Sequence, residues 1–303
     1  IACKIFDTII SPILLYNSEV WGAYFDNDYL NWDKTITEKT HLKFCKLYLG
    51  VNRKASNLAS RGELGRYPLQ ISIIKRILRC TKSITQLPDS CIVKQAFHSS
   101  KESHINGYKS FCSNTLNILR KLYSTLNNID LETLTQETNI DNIIKDIKSN
   151  YVTFWKNQIT NSRKLSFYST FKKEYKLEKY LYTIENTHKK RSVTKFRISN
   201  HKLLIEYGRY QNIPREERHC KLCETKKVED EFHFALECQH YQNIRKNSHN
   251  ILKNIFQMNI QNESKRNLLS NVLSTDDPVL IELFSTFISK CFNLRDKSLQ
   301  NIQ

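Results

Sequence analysis

Six glycines and five prolines are all that punctuate this 303-residue chain. Sandwiches and barrels place both residue types at many tight turns, so a chain this poor in them reads as mainly α. Forty per cent hydrophobic and eleven per cent aromatic residues is a composition that can bury a core. The pattern points to bundle-like helical segments.

Individual helices can be picked out. In THLKFCKLYLGV the apolar Leu42, Cys45, Leu47 and Leu49 alternate with Lys43 and Lys46 and end at Gly50, an amphipathic helix with a glycine stop. GELG at 62–65 reads as a turn. Pro68 then opens a second helix with Ile71, Ile74, Ile77 and Leu78 on one face. QLPDSC breaks the chain near Pro88, and a helix is expected over about 110–126. The stretch from Asn128 to Trp155 is expected to form two short helices. Trp21 and Trp32 are expected to anchor the first core. The opening stretch IACKIFDTIISPILLY is too short and too interrupted by Asp7 to span a bilayer, and it reads as the interior of a longer chain.

Charge is unevenly spread. The net charge is +17, which says nothing of fold but favours polyanionic partners, with nucleic acid first and no membrane expected. The window 151–200 holds twelve Lys plus Arg against three Glu, while residues 1–50 are nearly neutral. The same window carries ten aromatics, among them Tyr151, Trp155, Tyr168, Phe171, Tyr180 and Phe196. Rings at helical spacing usually pack, so these are expected in the core. The cations, crowded without a partner, are expected to meet phosphates.

The cysteines divide into two groups. Cys3, Cys45, Cys80, Cys91, Cys112 and Cys291 are irregularly spaced, as expected of reduced thiols in an intracellular protein of the nucleus or cytoplasm. The other three fall in RHCKLCETKKVEDEFHFALECQHY, where Cys220, Cys223, His233 and Cys238 lie within nineteen residues. Thiolate and imidazole are donors that zinc prefers, and four of them close a tetrahedral site with no position left for water, so one structural Zn2+ is expected. Lys221, Lys226 and Lys227 would favour ionised thiols. One detail conflicts with a regular helix. His233 and Cys238 are five apart and would point about 140° from each other on ideal α geometry. The helix is therefore expected to end or distort near Cys238. In the plainer alternative, Cys238 is a small core residue beside the stripe of Phe232, Ala235 and Leu236. His219 and His240 flank the set as substitute ligands.

The blocks SPILLYNSEVWG, THLKFCKLYLGV with GELGRYPL, KLSFYSTFKKEYKLEKYL, KKRSVTKFRISNHKLLIEYGRY and the Cys/His segment follow in one order. In that order they resemble the C-terminal region of a non-LTR (LINE-type) retrotransposon reverse transcriptase, over roughly residues 5–80 and 150–250. The resemblance implies thumb-like helices over 1–90, a connecting helical region over 91–185, a zinc-binding module over 186–260 and C-terminal helices over 261–303. It also implies a grip on template RNA or target DNA beside the polymerase core of the parent polypeptide. It marks Cys220, Cys223, His233 and Cys238 as metal ligands. It suggests Lys189, Lys190, Arg191, Lys195, Arg197 and Arg209, with Lys221, Lys226 and Lys227 of the metal segment, as nucleic-acid contacts.

The polymerases of that family carry paired aspartates in a hairpin that holds two metal ions. The adjacent pair here, Asp276 and Asp277, precedes Pro278 and reads as a turn or helix cap. No phosphate-binding glycine loop and no Gly-x-Ser-x-Gly elbow occur, and Glu63 is a lone carboxylate between glycines. The chain is therefore expected not to be an enzyme by itself. A zinc-containing protein-interaction module, with incidental charge, is the competing class.

Overall fold

The computed structural model describes residues 2–24, 29–122, 130–137, 139–250, 252 and 262–301. Those residues are mainly α. Extended pairing among them is limited to two single-residue bridges, Leu64 with Leu177 and His219 with Val228. No helix among them is long and apolar enough to cross a membrane.

The chain divides into two compact units, neither of them continuous in sequence. The first comprises residues 1–44 and 67–155, the second 45–66 and 156–303. This division cuts across the linear boundaries expected near residues 90 and 185. Its cause is a set of long-range contacts that attach 45–66 to the later chain. Glu178 N donates to Glu63 O (2.9 Å), Tyr175 Oη to Arg66 O (2.5 Å) and Tyr168 Oη to Ala59 O (3.5 Å).

Irregular helical turns over 2–24 of the first unit precede helix α1 (Ile36–Leu49), which belongs to that unit up to Phe44 and to the second from Cys45, and which ends at Gly50 in the left-handed region as its sequence predicts. Helix α2 (Asn57–Leu64) belongs to the second unit, and α3 (Leu69–Thr85) begins after Pro68. Ile71, Ile74, Ile77 and Leu78 of α3 are buried, as is Ile73. Ile73 and Ile77 form a core with Leu15, Ala23 and Leu69, against which Trp21 packs half-buried. Trp32 is fully buried beside Tyr29. Helices α4 (Ile92–Ile105), α5 (Phe111–Leu122) and α6 (Leu131–Glu137) follow. The expected extension of α5 to residue 126 lies outside the described residues. The next helix is a single one of 22 residues, α7 (Ile140–Asn161), rather than a short one, and it belongs to the first unit up to Trp155. Its buried Ile143, Ile147, Tyr151 and Trp155 keep the 3–4 spacing throughout.

The second unit is built on α2, α8 (Thr187–Arg197), α9 (Leu204–Tyr210), α10 (Asn262–Ser274) and α11 (Pro278–Gln300). GELG is not a turn throughout. Residues 62–64 complete α2, with Ser56 accepting from Ala59 N at its start, and only Gly65 leaves the helix. Asn186 caps α8 through Lys189 N, and Asp277 caps α11 through Val279 N. Phe196 of α8 is surrounded by Phe167, Phe234, Phe284 and Phe292 at ring separations of 5.4 to 6.4 Å. Of the ten aromatics in the basic window, Tyr151, Trp155, Tyr168, Phe171, Tyr180 and Phe196 are buried and Tyr182 is exposed, so most serve the core.

Gly65 has φ +60°, and a Cβ there would meet the backbone N of Leu177 at 2.6 Å. Gly65→Ala is therefore expected to destabilise the chain by about 2 kcal/mol or more, combining left-handed strain with a clash that backbone cannot easily relieve. A lowered urea midpoint at unchanged slope is the expected reading.

Candidate metal centre and basic surface

Cys220 and Cys223 lie in a tight loop closed by backbone bonds. Cys220 N donates to Lys227 O and Glu229 N to Arg218 O, both at 2.8 Å. The loop places Cys223 Sγ 3.4 Å from His233 Nε2 and Cys220 Sγ 3.8 Å from Cys238 Sγ. All four donor atoms fall within 4.8 Å of one another. A tetrahedral thiolate site with metal–sulfur bonds of about 2.3 Å sets two sulfurs roughly 3.8 Å apart, so the set has the dimensions to hold a metal ion.

The conflict between His233 and Cys238 is resolved by a change of helix type. His233–Glu237 forms a π-turn, and Cys238 N donates to His233 O at 2.8 Å, an i to i+5 bond. Widening the turn brings residues five apart onto one side. Cys238 then leaves the helix with ψ 122°, as the sequence requires. Asp230 Oδ1 accepts from His233 N (2.7 Å) at the start of this turn. His219 is exposed, and His240 Nε2 lies 2.9 Å from Ser298 Oγ, so neither flanking histidine joins the group.

Two kinds of support surround the donors. His233 Nδ1 is buried and 3.5 Å from Glu237 Oε2, too long for a good hydrogen bond but within ion-pair reach. Carboxylates behind ligating imidazoles fix ring orientation. Arg245 donates to Cys238 O. Arg295 forks onto Glu229 (2.7 and 2.8 Å), and Glu229 Oε2 also accepts from Leu204 N (2.8 Å). This ties the end of the metal loop to α9 and α11.

The donors strongly perturb one another's protonation. The hydrogen bond to Cys238, then burial, pushes the Cys220 thiol up to about 12, while the same bond lowers Cys238. Burial lowers His233, but hydrogen bonds and charge from Cys220 and Cys223 outweigh it and raise the imidazole to about 9. Packed thiols resist common ionisation unless positive charge stands among them.

The basic candidates are less uniform. Arg191 and Lys195 are exposed and Lys190 is half-buried on α8, and none has a carboxylate partner among the described residues. Lys189 pairs with Glu282 (2.6 Å), Arg209 with Glu206 (3.1 Å) and Lys227 with Glu237 (3.0 Å). Lys221 and Lys226 are exposed on the metal loop.

Arg197 corrects the sequence reading. It is 2% exposed and forks onto Glu63 (2.8 and 3.0 Å), with further bonds to Glu178 Oε2 (2.7 Å) and Leu273 O. Lys172 completes the network through Glu178. Arg197 cannot reach a polyanion in this arrangement. Its place one residue after Phe196 and four after Val193, both buried, is the signal that could have shown it. Glu63, a lone carboxylate in sequence, acquires this partner from 134 residues away.

No protein-family model matches the chain, and no curated protein or solved structure is similar to it.

Proposed function

We propose that the chain is a C-terminal portion of a non-LTR retrotransposon reverse transcriptase that holds one structural Zn2+ and binds nucleic acid without catalysing a reaction itself. The convergence of Cys220, Cys223, His233 and Cys238 carries this reading. Three thiolates and an imidazole are a zinc donor set, and four protein donors leave no position for a reactive water. The ion would be structural, holding the loop 218–229 to the π-turn. The adjacent aspartates support a non-catalytic role, since Asp277 is engaged in capping α11.

Nucleic acid is the favoured partner because exposed cations cluster in the unit that carries the metal centre. Lys190, Arg191 and Lys195 of α8 and Lys221 and Lys226 of the metal loop form the proposed contact set. Each phosphate contact in single-stranded nucleic acid lowers the log–log slope of affinity against salt by about 0.7.

The test is anisotropy of labelled single-stranded RNA and DNA at several salt concentrations. Joint Lys190→Glu, Arg191→Glu and Lys195→Glu is expected to weaken binding about tenfold or more and flatten the salt slope. Lys39→Glu with Lys43→Glu, on exposed positions of α1, should change little. Equal losses in both variants would contradict a dedicated surface. Absent or salt-insensitive binding would favour the protein-interaction class.

A further inference from the structure

The second unit contains a cleft of about 830 Å³ between the segment 163–170, α9 with the turn that follows it, residues 230–232 and α10. Its volume lies in the range of ligand sites. Six cations line it: Arg163, Lys164, Arg209, Arg215, Arg218 and Arg266.

Not all six are available. Glu206 takes Lys164 (2.9 Å) and Arg209 (3.1 Å). Arg218 donates to the carbonyls of Ile205 and Ile213 at 2.7 to 2.9 Å. Arg163 and Arg215 are exposed and have no carboxylate within ion-pair distance among the described residues. Arg266 rests on the Phe232 ring at 4.6 Å, with its field on Asp230.

The lining carboxylates are largely committed elsewhere. Glu231 Oε1 is held by Ser199 Oγ (2.5 Å) and His201 Nε2 (3.0 Å), and Asp230 accepts from His233 N. Glu206 is matched by its two cations. Glu216, exposed beside Arg215, and Asp230, on which the charge of Arg266 acts, complete the acids of the lining, so six cations face four carboxylates and the cleft keeps a net positive charge. Guanidinium forks suit phosphate geometry better than lysine does.

We propose that this cleft binds a phosphate group through Arg163, Arg215 and Arg266, and that nucleic acid is gripped here as well as along α8. The second clause rests on the function proposed above. The first does not, because a free nucleotide would offer the same chemistry.

The experiment uses the full chain and Arg163→Gln/Arg215→Gln, with Arg163→Lys/Arg215→Lys as a charge-preserving control. Both sites are exposed, and unchanged circular dichroism confirms an intact fold. Probes are labelled single-stranded RNA and ATP. The glutamine variant should bind RNA about tenfold more weakly, with its salt slope reduced by about 1.4, and the lysine variant should recover part of the loss. RNA binding that is salt-dependent in the native chain and unaltered in the glutamine variant would overturn the cleft and leave the nucleic-acid reading standing. If the native chain binds ATP but not RNA, and the glutamine variant loses ATP, the cleft stands and the nucleic-acid reading falls. Binding of neither probe would overturn both.

Discussion

Arg197→Ala is expected to destabilise the protein by about 3–5 kcal/mol, the cost of leaving a buried charge uncompensated. The substitution strands Glu63, which is 0% exposed, and removes a cation from Glu178. Lys172, bonded to Glu178 and to the Lys176 carbonyl, would remain only as a nearby charge for Glu63 and would not replace the lost fork. The guanidinium also stacks between Phe171 (4.8 Å) and Tyr180 (5.0 Å), so packing is lost with the charge. Arg197→Lys should recover little, because one ammonium cannot reproduce a fork that binds two carboxylates and a carbonyl. Glu63→Gln tests the same network from the other side. A double-mutant cycle on Glu63 and Arg197 should give a coupling of about 1–3 kcal/mol by chemical denaturation.

The network also sets a pH dependence. Burial alone would raise Glu63, but the charges of Arg197 and Lys172 overcome it and hold the carboxyl below its ordinary value. Glu231 behaves alike: burial is the largest single influence and would raise it, but the hydrogen bond and charge of His201 together with the bond from Ser199 bring it below its ordinary value. A carboxyl whose folded pKa is depressed contributes stability that is fully present above its unfolded value, about 4.3 for glutamate. That contribution fades as pH falls through the folded value. Denaturation midpoints should drop on acidification below about pH 4.3, and the drop should be smaller in Glu63→Gln.

Cys220→Ser with Cys223→Ser is expected to have a comparable or larger effect. Structural zinc in small modules contributes about 10–16 kcal/mol of binding free energy, which is available only to the folded state. Here the ends of the loop 218–229 are anchored, Arg218 on the Ile205 and Ile213 carbonyls and Glu229 on Arg295 and Leu204 N, but its middle has little beyond the Lys227–Glu237 pair to hold it. Its inner face is the donor set, and its regular backbone pairing is the single bridge of His219 with Val228. Removing two donors should release the metal and unfold the loop and π-turn. The first unit, with its own core on α3, should remain helical. A strong chelator should reproduce the result in the native chain. Cys91→Ser, a cysteine outside the group, should leave metal and fold unchanged.

The four donors were legible in the sequence because they crowd into nineteen residues. So was the need for an irregular turn, since five-residue spacing is incompatible with one face of an α-helix. The π-turn at His233–Glu237 is the physical answer to that constraint. Helix limits set by local chemistry, Gly50 and Pro68, were legible for the same reason. The buried ion network was not, because its members are separated by up to 134 residues. Arg197 lies among basic residues in sequence, and charge counting treated it like its neighbours. Its helix face, shared with Val193 and Phe196, gave the better indication. The segment 45–66 gave no sequence sign that it packs with the chain beyond 156. Apart from the Glu63–Arg197 pair, those contacts run largely through backbone carbonyls, of Ala59, Glu63 and Arg66, which carry no side-chain signature.

The most direct test of the metal centre is elemental analysis with native mass spectrometry on the intact chain, purified without added metal. One zinc per chain, absent from Cys220→Ser/Cys223→Ser, is the result this account predicts. A metal-free chain that keeps its folded circular-dichroism signal in a strong chelator would contradict it, and Cys220, Cys223 and Cys238 would then be ordinary thiols around a histidine.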